Sequence, residues 1–455
     1  MTIESVNPAT GAVVQTYEEL GEEALERALG RSAAAFPAWR ATELQERTAR
    51  LRAAAEVLEA RKEELARLMA VEMGKPVREG RGEIEKCAWA CRHYAAEAPG
   101  LLAPREIETD ASRSFVVFEP LGCVLAVMPW NFPFWQVFRF IAPHLTAGNI
   151  GLLKHASNVA GCALAIEEIL RAADYPEGVF QTLLIGSRRV DALIADSRVH
   201  AVTLTGSTPA GRAVARRAGE CLKKTVLELG GSDPYVVLDD ADLELAASQC
   251  VTARLVNGGQ SCIAAKRFVV TPGPRAAFVR RVVEQMAARR MGDPLDETTQ
   301  VGPMARRDLR DELHEQVAAS VAAGARCLLG GEIPEGPGAF YPPTVLADVR
   351  PGMPAYHEEL FGPVAAILPA ESEEAALRIA NDTSFGLGAA VFTRDAEKGA
   401  RIAARRLDAG NCFVNAFVRS DPRLPFGGVK ESGYGRELGS FGLYEFVNVK
   451  SVYVA

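Results

Sequence analysis

Three things are scarce in this 455-residue sequence. Histidine is the first: there are six, none clustered with the nine cysteines, so no zinc-type ligand set is visible and no metal is expected. The cysteines, at 87, 91, 123, 162, 221, 250, 262, 327 and 412, are odd in number and form no C-x-x-C pair, which argues against a disulfide scaffold and for a reduced, cytoplasmic protein. Cys87 and Cys91, one helical turn apart, read as one face of a helix. Positive charge is the second scarcity. Lys and Arg total 51 against 58 Asp and Glu, a net charge of −7. That balance excludes general nucleic-acid binding, while small anions remain open to capture by local dipoles and single cations. Third, no apolar run approaches the ~20 residues that span a bilayer. The longest, LGCVLAVM at 121–128, stops at Pro129 and reads as a buried strand. The N-terminus, MTIESVNPATG, is polar and has no export-type apolar stretch.

What is present is the balance of a globular enzyme, with 48% hydrophobic and 24% charged residues over a length that suggests two or three domains. The first hundred residues read as helical. Thr42-Glu43-Leu44-Gln45 has the form of a capping box, followed by a long helix ending near Gly74-Lys75-Pro76 and a second over 77–96. The segment 112–119, SRSFVVFE, reads as a strand. Short β-like runs then alternate with helical stretches, in one block to about 238 and a second from Tyr235 to about 414. Such alternation predicts an α/β protein with two parallel sheets, helices on both faces and a cleft between them. The segment 444–454, YEFVNVKSVYV, reads as a strand with no helix after it, an open edge expected to pair with another subunit.

Four segments carry candidate chemistry. In Asn257-Gly-Gly-Gln-Ser-Cys262, glycines allow close approach of backbone N–H groups, and a cysteine there is expected to be exposed with a depressed pKa. Taken alone, it reads first as a buried packing residue. Glu228-Leu-Gly-Gly-Ser232 leaves a carboxylate at the C-terminal end of a predicted strand, where open α/β sheets bind ligands and where partial burial would suit a general base. Gly206-Ser-Thr-Pro-Ala-Gly211 joins a strand to a helix whose N–H groups favour phosphate. Pro129-Trp-Asn-Phe-Pro133 is a stiff turn that would fix the Asn131 amide as a donor, or serve only as a rigid plug.

Together these segments resemble the aldehyde dehydrogenase superfamily over essentially the whole chain. Seven motifs stand in the family's order: PWNFP, LLKHAS, LTGST, LELGG, GGQSC, EELFGP at 358–363 and PFGGVKESGYGRE at 425–437. The phrase SDPRLPFGG at 420–428 and the compact length are most similar to the short succinate-semialdehyde dehydrogenases. The resemblance implies two Rossmann-like domains plus a small β oligomerisation element. Their division would be 1–101 with 121–230 for cofactor, 231–430 for catalysis, and 102–120 with 431–455 for assembly into a dimer or tetramer.

The resemblance further implies Cys262 as nucleophile, Asn131 as oxyanion donor and Glu228 as the base that activates water. Cofactor contacts fall on Trp130, Lys154, Ser157, Gly206, Ser207, Gly211, Gly230, Glu359 and Phe361. NAD-preferring members usually carry a glutamate where Ser157 stands, so NADP is expected to be preferred and NAD accepted. Arg139, Trp135, Ser420 and Arg423 are the expected substrate contacts. The larger succinate-semialdehyde enzymes also have an arginine six residues before the cysteine; here Val256 stands there. Glutarate semialdehyde or a small aliphatic aldehyde, oxidised with NAD, is the alternative. A CoA-acylating relative is disfavoured by Glu228, which that subgroup generally lacks.

Overall fold

A strand that is apolar throughout needs cover on both faces. Cys123–Met128, buried at five of its six positions, obtains it inside a six-stranded sheet of the computed structural model, which describes residues 2–455. Across that sheet the order is Gly433–Tyr434, Lys224–Glu228, Ala201–Thr205, Cys123–Met128, Ile150–His155, Phe180–Thr182. All neighbours are parallel except the short Gly433–Tyr434, which is antiparallel to Lys224–Glu228. The chain runs outward from Cys123–Met128 on one side, then returns to lay Ala201–Thr205 on its other side. The order therefore reverses between these two strands, and a crevice opens beyond their C-terminal ends. Residues 129–133 and 206–209 leave from those ends.

A seven-stranded sheet forms the second block, in the order Arg326–Leu329, Thr344–Ala347, Val364–Pro369, Ala265–Val270, Asp233–Val237, Gly388–Phe392, Asn411–Val414. Only its edge strand Arg326–Leu329 is antiparallel. The two parallel sheets agree with the α/β architecture expected from alternation. Thr344–Ala347 was not foreseen. It is four residues long and directly follows Pro342-Pro343, so it carries too little periodicity to register.

The N-terminal region differs from expectation in two ways. A β-hairpin, Thr2–Val6 with Val13–Glu18, precedes the helices. The capping box does not form: the Thr42 hydroxyl turns back to donate to the Ala38 carbonyl, closing the helix Glu22–Ala41 instead of opening the next. The long helix is two, Leu44–Ala60 and Lys62–Met73, followed by Val77–Leu101.

The terminal strand also needs correction. Val447–Val454 pairs antiparallel along its whole length with Arg113–Pro120 of the same chain, in a three-stranded sheet completed by Arg105–Glu106. Intrachain pairing satisfies one edge; the other stays open, with Val449 and Tyr453 more than half exposed. No helix among the described residues is long and apolar enough to cross a membrane.

Candidate active site

The crevice at the strand reversal is a cavity of about 490 Å³. Its wall includes Trp130, Gly206, Ser207, Gly230, Glu359 and Phe361, with Cys262 at one end. Ser207 stands at the N-terminus of the 13-residue helix Thr208–Glu220 but makes no side-chain capping bond, so first-turn N–H groups remain available to an anion. A Cβ placed on Gly206 would meet nothing closer than 3.6 Å, which leaves that face of the loop open to a ligand. Trp130 and Phe361 meet edge to face, 5.7 Å between ring centroids. Glu359 accepts the Gly231 N–H at 3.0 Å and pairs with Lys266 at 3.1 Å. A phosphate-accepting helix end, aromatic walls and a carboxylate that can bind hydroxyl groups make a donor set that fits a dinucleotide.

A second cavity, about 420 Å³, lies on the other side of the same cysteine. Lys86, Trp135, Arg139, Arg419 and Ser420 line it. Among the described residues only Gln136 and Cys262 line both cavities.

Local backbone chemistry places the sulfur there. Asn257, Gly258 and Gly259 take three successive left-handed conformations, φ 53°, 60° and 78°. Asparagine and glycine are the residues that tolerate this region. Gly259 is required for a second reason: a Cβ would stand 2.2 Å from the Gly362 carbonyl oxygen. The turn is laced to the PWNFP loop. Asn257 donates its side-chain amide to the Asn131 carbonyl at 2.7 Å, and Asn131 donates its own to the Gln260 carbonyl at 3.0 Å. Gln136 donates to Asn131 Oδ1 at 3.1 Å, which fixes the amide's orientation. An amide nitrogen carries two hydrogens, so one Asn131 N–H remains to be used. Among the described residues the Cys262 backbone N–H donates to no backbone acceptor outside regular elements.

The thiol is not depressed as the sequence suggested. Burial pushes it up to about 12, Lys266 and Arg139 offset part of the rise, and Glu228 and Glu359 add to it. The cysteine stands at no helix N-terminus, and Lys266 spends its protons on the Ser261 and Cys262 carbonyls. A cation brought into the larger cavity would favour the thiolate.

Glu228 ends its strand as expected, but it is 1% exposed and lines neither cavity. Its carboxylate lies beside Gly427, and neither oxygen has a hydrogen-bond partner among the described residues. Burial raises its pKa strongly; Arg139 opposes and Glu437 reinforces the rise. Arg139 is ion-paired with Glu437, both 3–4% exposed, donates to Thr205 Oγ1 at 3.2 Å and lies 4.9 Å from the Phe426 ring centroid.

Most predicted positions converge on the two cavities; besides Glu228, four do not line them. Gly211 is a packing residue: a Cβ there would strike the Leu229 side chain at 2.5 Å, so the glycine lets its helix lie against the strand. Arg423 misses the inner cavity. Its guanidinium pairs with Asp421 at 2.7 Å and lines an outer hollow with Trp89. Lys154 lies near the C-terminal end of Ile150–His155, in register with Val127, and Ser157 just follows that strand; neither lines the larger cavity. Sequence reasoning missed Lys266, Gln260, Glu437 and Lys86. A signal existed for the last: Glu79, Gly82, Glu83 and Lys86 follow i, i+3, i+4, i+7 spacing and all line the smaller cavity.

Residues 1–452 match the model of the aldehyde dehydrogenase family. The chain belongs to that family. A probable NADP-dependent succinate-semialdehyde dehydrogenase from Synechocystis is 50% identical over 455 residues, all of both chains. An Escherichia coli succinate semialdehyde dehydrogenase, described as using NAD(P), is 50% identical over 99% of this chain and 97% of its own. The crystal structure of a Streptococcus pyogenes succinic semialdehyde dehydrogenase in complex with NADP superposes with a TM-score of 0.97, at 36% identity and 99% coverage of both chains. As an aldehyde dehydrogenase the chain is an NAD(P)-dependent oxidoreductase.

Proposed function

We propose that the protein oxidises succinic semialdehyde to succinate, with NADP as preferred cofactor and NAD accepted. The observation that carries this reading is the position of Cys262, the one nucleophile on the wall between a dinucleotide-sized cavity and a cation-lined pocket. The names of the Synechocystis, E. coli and S. pyogenes relatives support the substrate and cofactor.

The Cys262 thiolate attacks the aldehyde carbon, and the resulting alkoxide is received by the Cys262 N–H and the free Asn131 amide hydrogen. Bound in the larger cavity, NADP supplies the hydride acceptor; Ser207, Gly206, Gly230, Glu359, Phe361 and Trp130 would hold it, with Lys154 and Ser157 at its ribose end. Loss of hydride leaves a thioester on Cys262. Glu228, its pKa raised by burial, takes a proton from water that hydrolyses the thioester. It must first rotate out of its slot beside Gly427. Trp135, Arg139 and Ser420 line the substrate side.

Losing one oxyanion donor typically costs on the order of 10²–10³ in rate. Asn131→Ala is therefore expected to lower kcat by that factor; near-normal turnover would remove Asn131 from the role. The overall reading is tested by kcat/KM for succinic semialdehyde, glutarate semialdehyde and butanal with each cofactor. Succinic semialdehyde with NADP should rank first. Ser157→Glu should turn the cofactor preference toward NAD, because a carboxylate repels a 2′-phosphate; an unchanged NADP preference sinks the assignment.

The division into cofactor (1–101, 121–230), catalytic (231–430) and assembly (102–120, 431–455) units remains part of this proposal, as does a homodimer or tetramer. The open edge of Val447–Val454 supports assembly. Nine free thiols suit a reducing cytoplasm.

A further inference from the structure

Two cations lie in a strand sealed from water. Ala265–Val270 is buried at every position, and Lys266 and Arg267 are each 1% exposed. Successive strand residues face opposite sides of a sheet, so the two serve different places. Arg267 is accounted for by the fold: it donates to the carbonyls of Ser232, Ile379 and Ala380 at 3.0, 3.0 and 2.9 Å. Lys266 turns to the nucleophile loop. Its ammonium donates to the Ser261 carbonyl at 2.8 Å and the Cys262 carbonyl at 2.7 Å, and pairs with Glu359 at 3.1 Å. Its three hydrogens thus meet three acceptors. Gly231 makes room for this arrangement, since a Cβ there would stand 2.6 Å from the Cys262 carbonyl oxygen.

The preceding carbonyls of the loop are held as well. Arg254 donates to that of Gly259 at 2.5 Å, and the Asn131 and Asn257 amides donate to that of Gln260 at 3.0 and 3.1 Å. The carbonyl side of the loop therefore fixes its N–H side. The Ser261 carbonyl and the Cys262 N–H belong to one planar trans peptide, in which they point in opposite directions. The Ser261 oxygen also accepts the Ala264 N–H at 3.1 Å, but Lys266 brings it a full charge. A charge-assisted bond is stronger than a neutral one, and it polarises the amide that accepts it.

We propose that Lys266 is a positioning residue for the oxyanion site: seated behind the Ser261–Cys262 peptide, it aims the Cys262 N–H at the aldehyde oxygen and strengthens it as a donor. The inference rests on the thioester chemistry proposed above. Through Glu359 the same ammonium ties that peptide to the wall of the larger cavity.

The test combines kinetics with infrared difference spectroscopy of the acyl-enzyme. Lys266→Met keeps most of the side chain's length and removes its donors. It should lower kcat for succinic semialdehyde by about 10- to 10³-fold, the upper end being the loss of a whole oxyanion donor. An interaction made only as charge develops leaves ground-state binding alone, so KM for the aldehyde should stay within about threefold. The thioester on Cys262 is trapped in a Glu228→Gln background with semialdehyde isotope-labelled at its aldehyde carbon. Its carbonyl oxygen occupies the oxyanion site, where hydrogen bonding lowers the stretching frequency; adding Lys266→Met should raise it. Lys266→Gln, whose amide still donates but carries no charge, should give a smaller loss and a smaller rise. Near-normal kcat in Lys266→Met overturns the assignment, and so does a fall in kcat with the carbonyl band unmoved. Both variants should still bind NADP in a fluorescence titration; failure of both assigns Lys266 to holding the fold and overturns it too. A Glu228→Gln enzyme that builds no adduct on Cys262 overturns the thioester reading instead, and this inference with it.

Discussion

Cys262→Ala is expected to lower aldehyde oxidation by at least about 10⁴-fold, followed by NADPH absorbance, while the variant still binds NADP. Loss of a nucleophile removes the covalent route itself, and effects of that order or larger are usual for such groups. Turnover within about tenfold of wild type would place the chemistry elsewhere. The same residue gives a pH signature. Because burial and the neighbouring carboxylates hold the thiol near 12, the thiolate fraction in the free protein rises with every step in pH below that value. Alkylation of Cys262 by iodoacetamide should accelerate across the whole neutral and alkaline range, with no plateau near pH 8. Saturating NADP, whose oxidised nicotinamide carries positive charge, should raise the rate at neutral pH, and substrate should protect. A plateau below pH 8 in the absence of ligands would contradict the environment described for the sulfur.

Glu228→Gln should separate the two halves of the reaction. Thiohemiacetal formation and hydride loss do not need the carboxylate, whereas thioester hydrolysis does. General-base catalysis typically contributes 10²–10⁴-fold, so steady-state kcat should fall by about that factor. The first turnover should survive: a burst of one NADPH per active site, followed by a slow phase, with a succinyl adduct on Cys262 detectable by mass spectrometry of quenched enzyme. The sign with pH follows from the raised carboxyl. Glu228 is protonated below its elevated pKa, so deacylation by wild type should rise as pH increases through that value, and the glutamine variant should lose this limb. Slow turnover without a burst or adduct would instead assign Glu228 to a step before the thioester.

Most of the site was legible because it is built from short loops whose backbone demands are written in residue type. Asn257-Gly258-Gly259 states its left-handed turn outright, and the prolines around Trp130 and Asn131 state their rigidity. The strands Cys123–Met128 and Ala201–Thr205 were readable because they are short runs of apolar and β-branched residues, and their ends located the crevice. What escaped was pairing at long range. Nothing near Arg139 announces that Glu437 will neutralise it, since their encounter depends on how the last fifty residues fold back. Lys86 was hidden by its helix, whose alanines and cysteines read as ordinary core while one polar stripe faces the cavity. The depressed thiol failed for a related reason. A glycine loop reveals backbone donors but not the burial that other segments impose on the thiol, nor the carboxylates of Glu228 and Glu359 that they bring. The terminal strand was recognised as a strand, yet its partner Arg113–Pro120 lies far back in the chain, where periodicity carries no information about pairing.

The partition formed by Cys262 and Gln136 has a kinetic consequence. Because the two chambers touch only at this wall, neither ligand has to pass through the space of the other to come or go. Succinate lingering in the smaller cavity competes with the next aldehyde, but leaves the nucleotide free to exchange. Product inhibition by the acid should therefore be competitive toward aldehyde and of mixed type toward NADP, the pattern of an enzyme with two separate doors and one shared reacting atom.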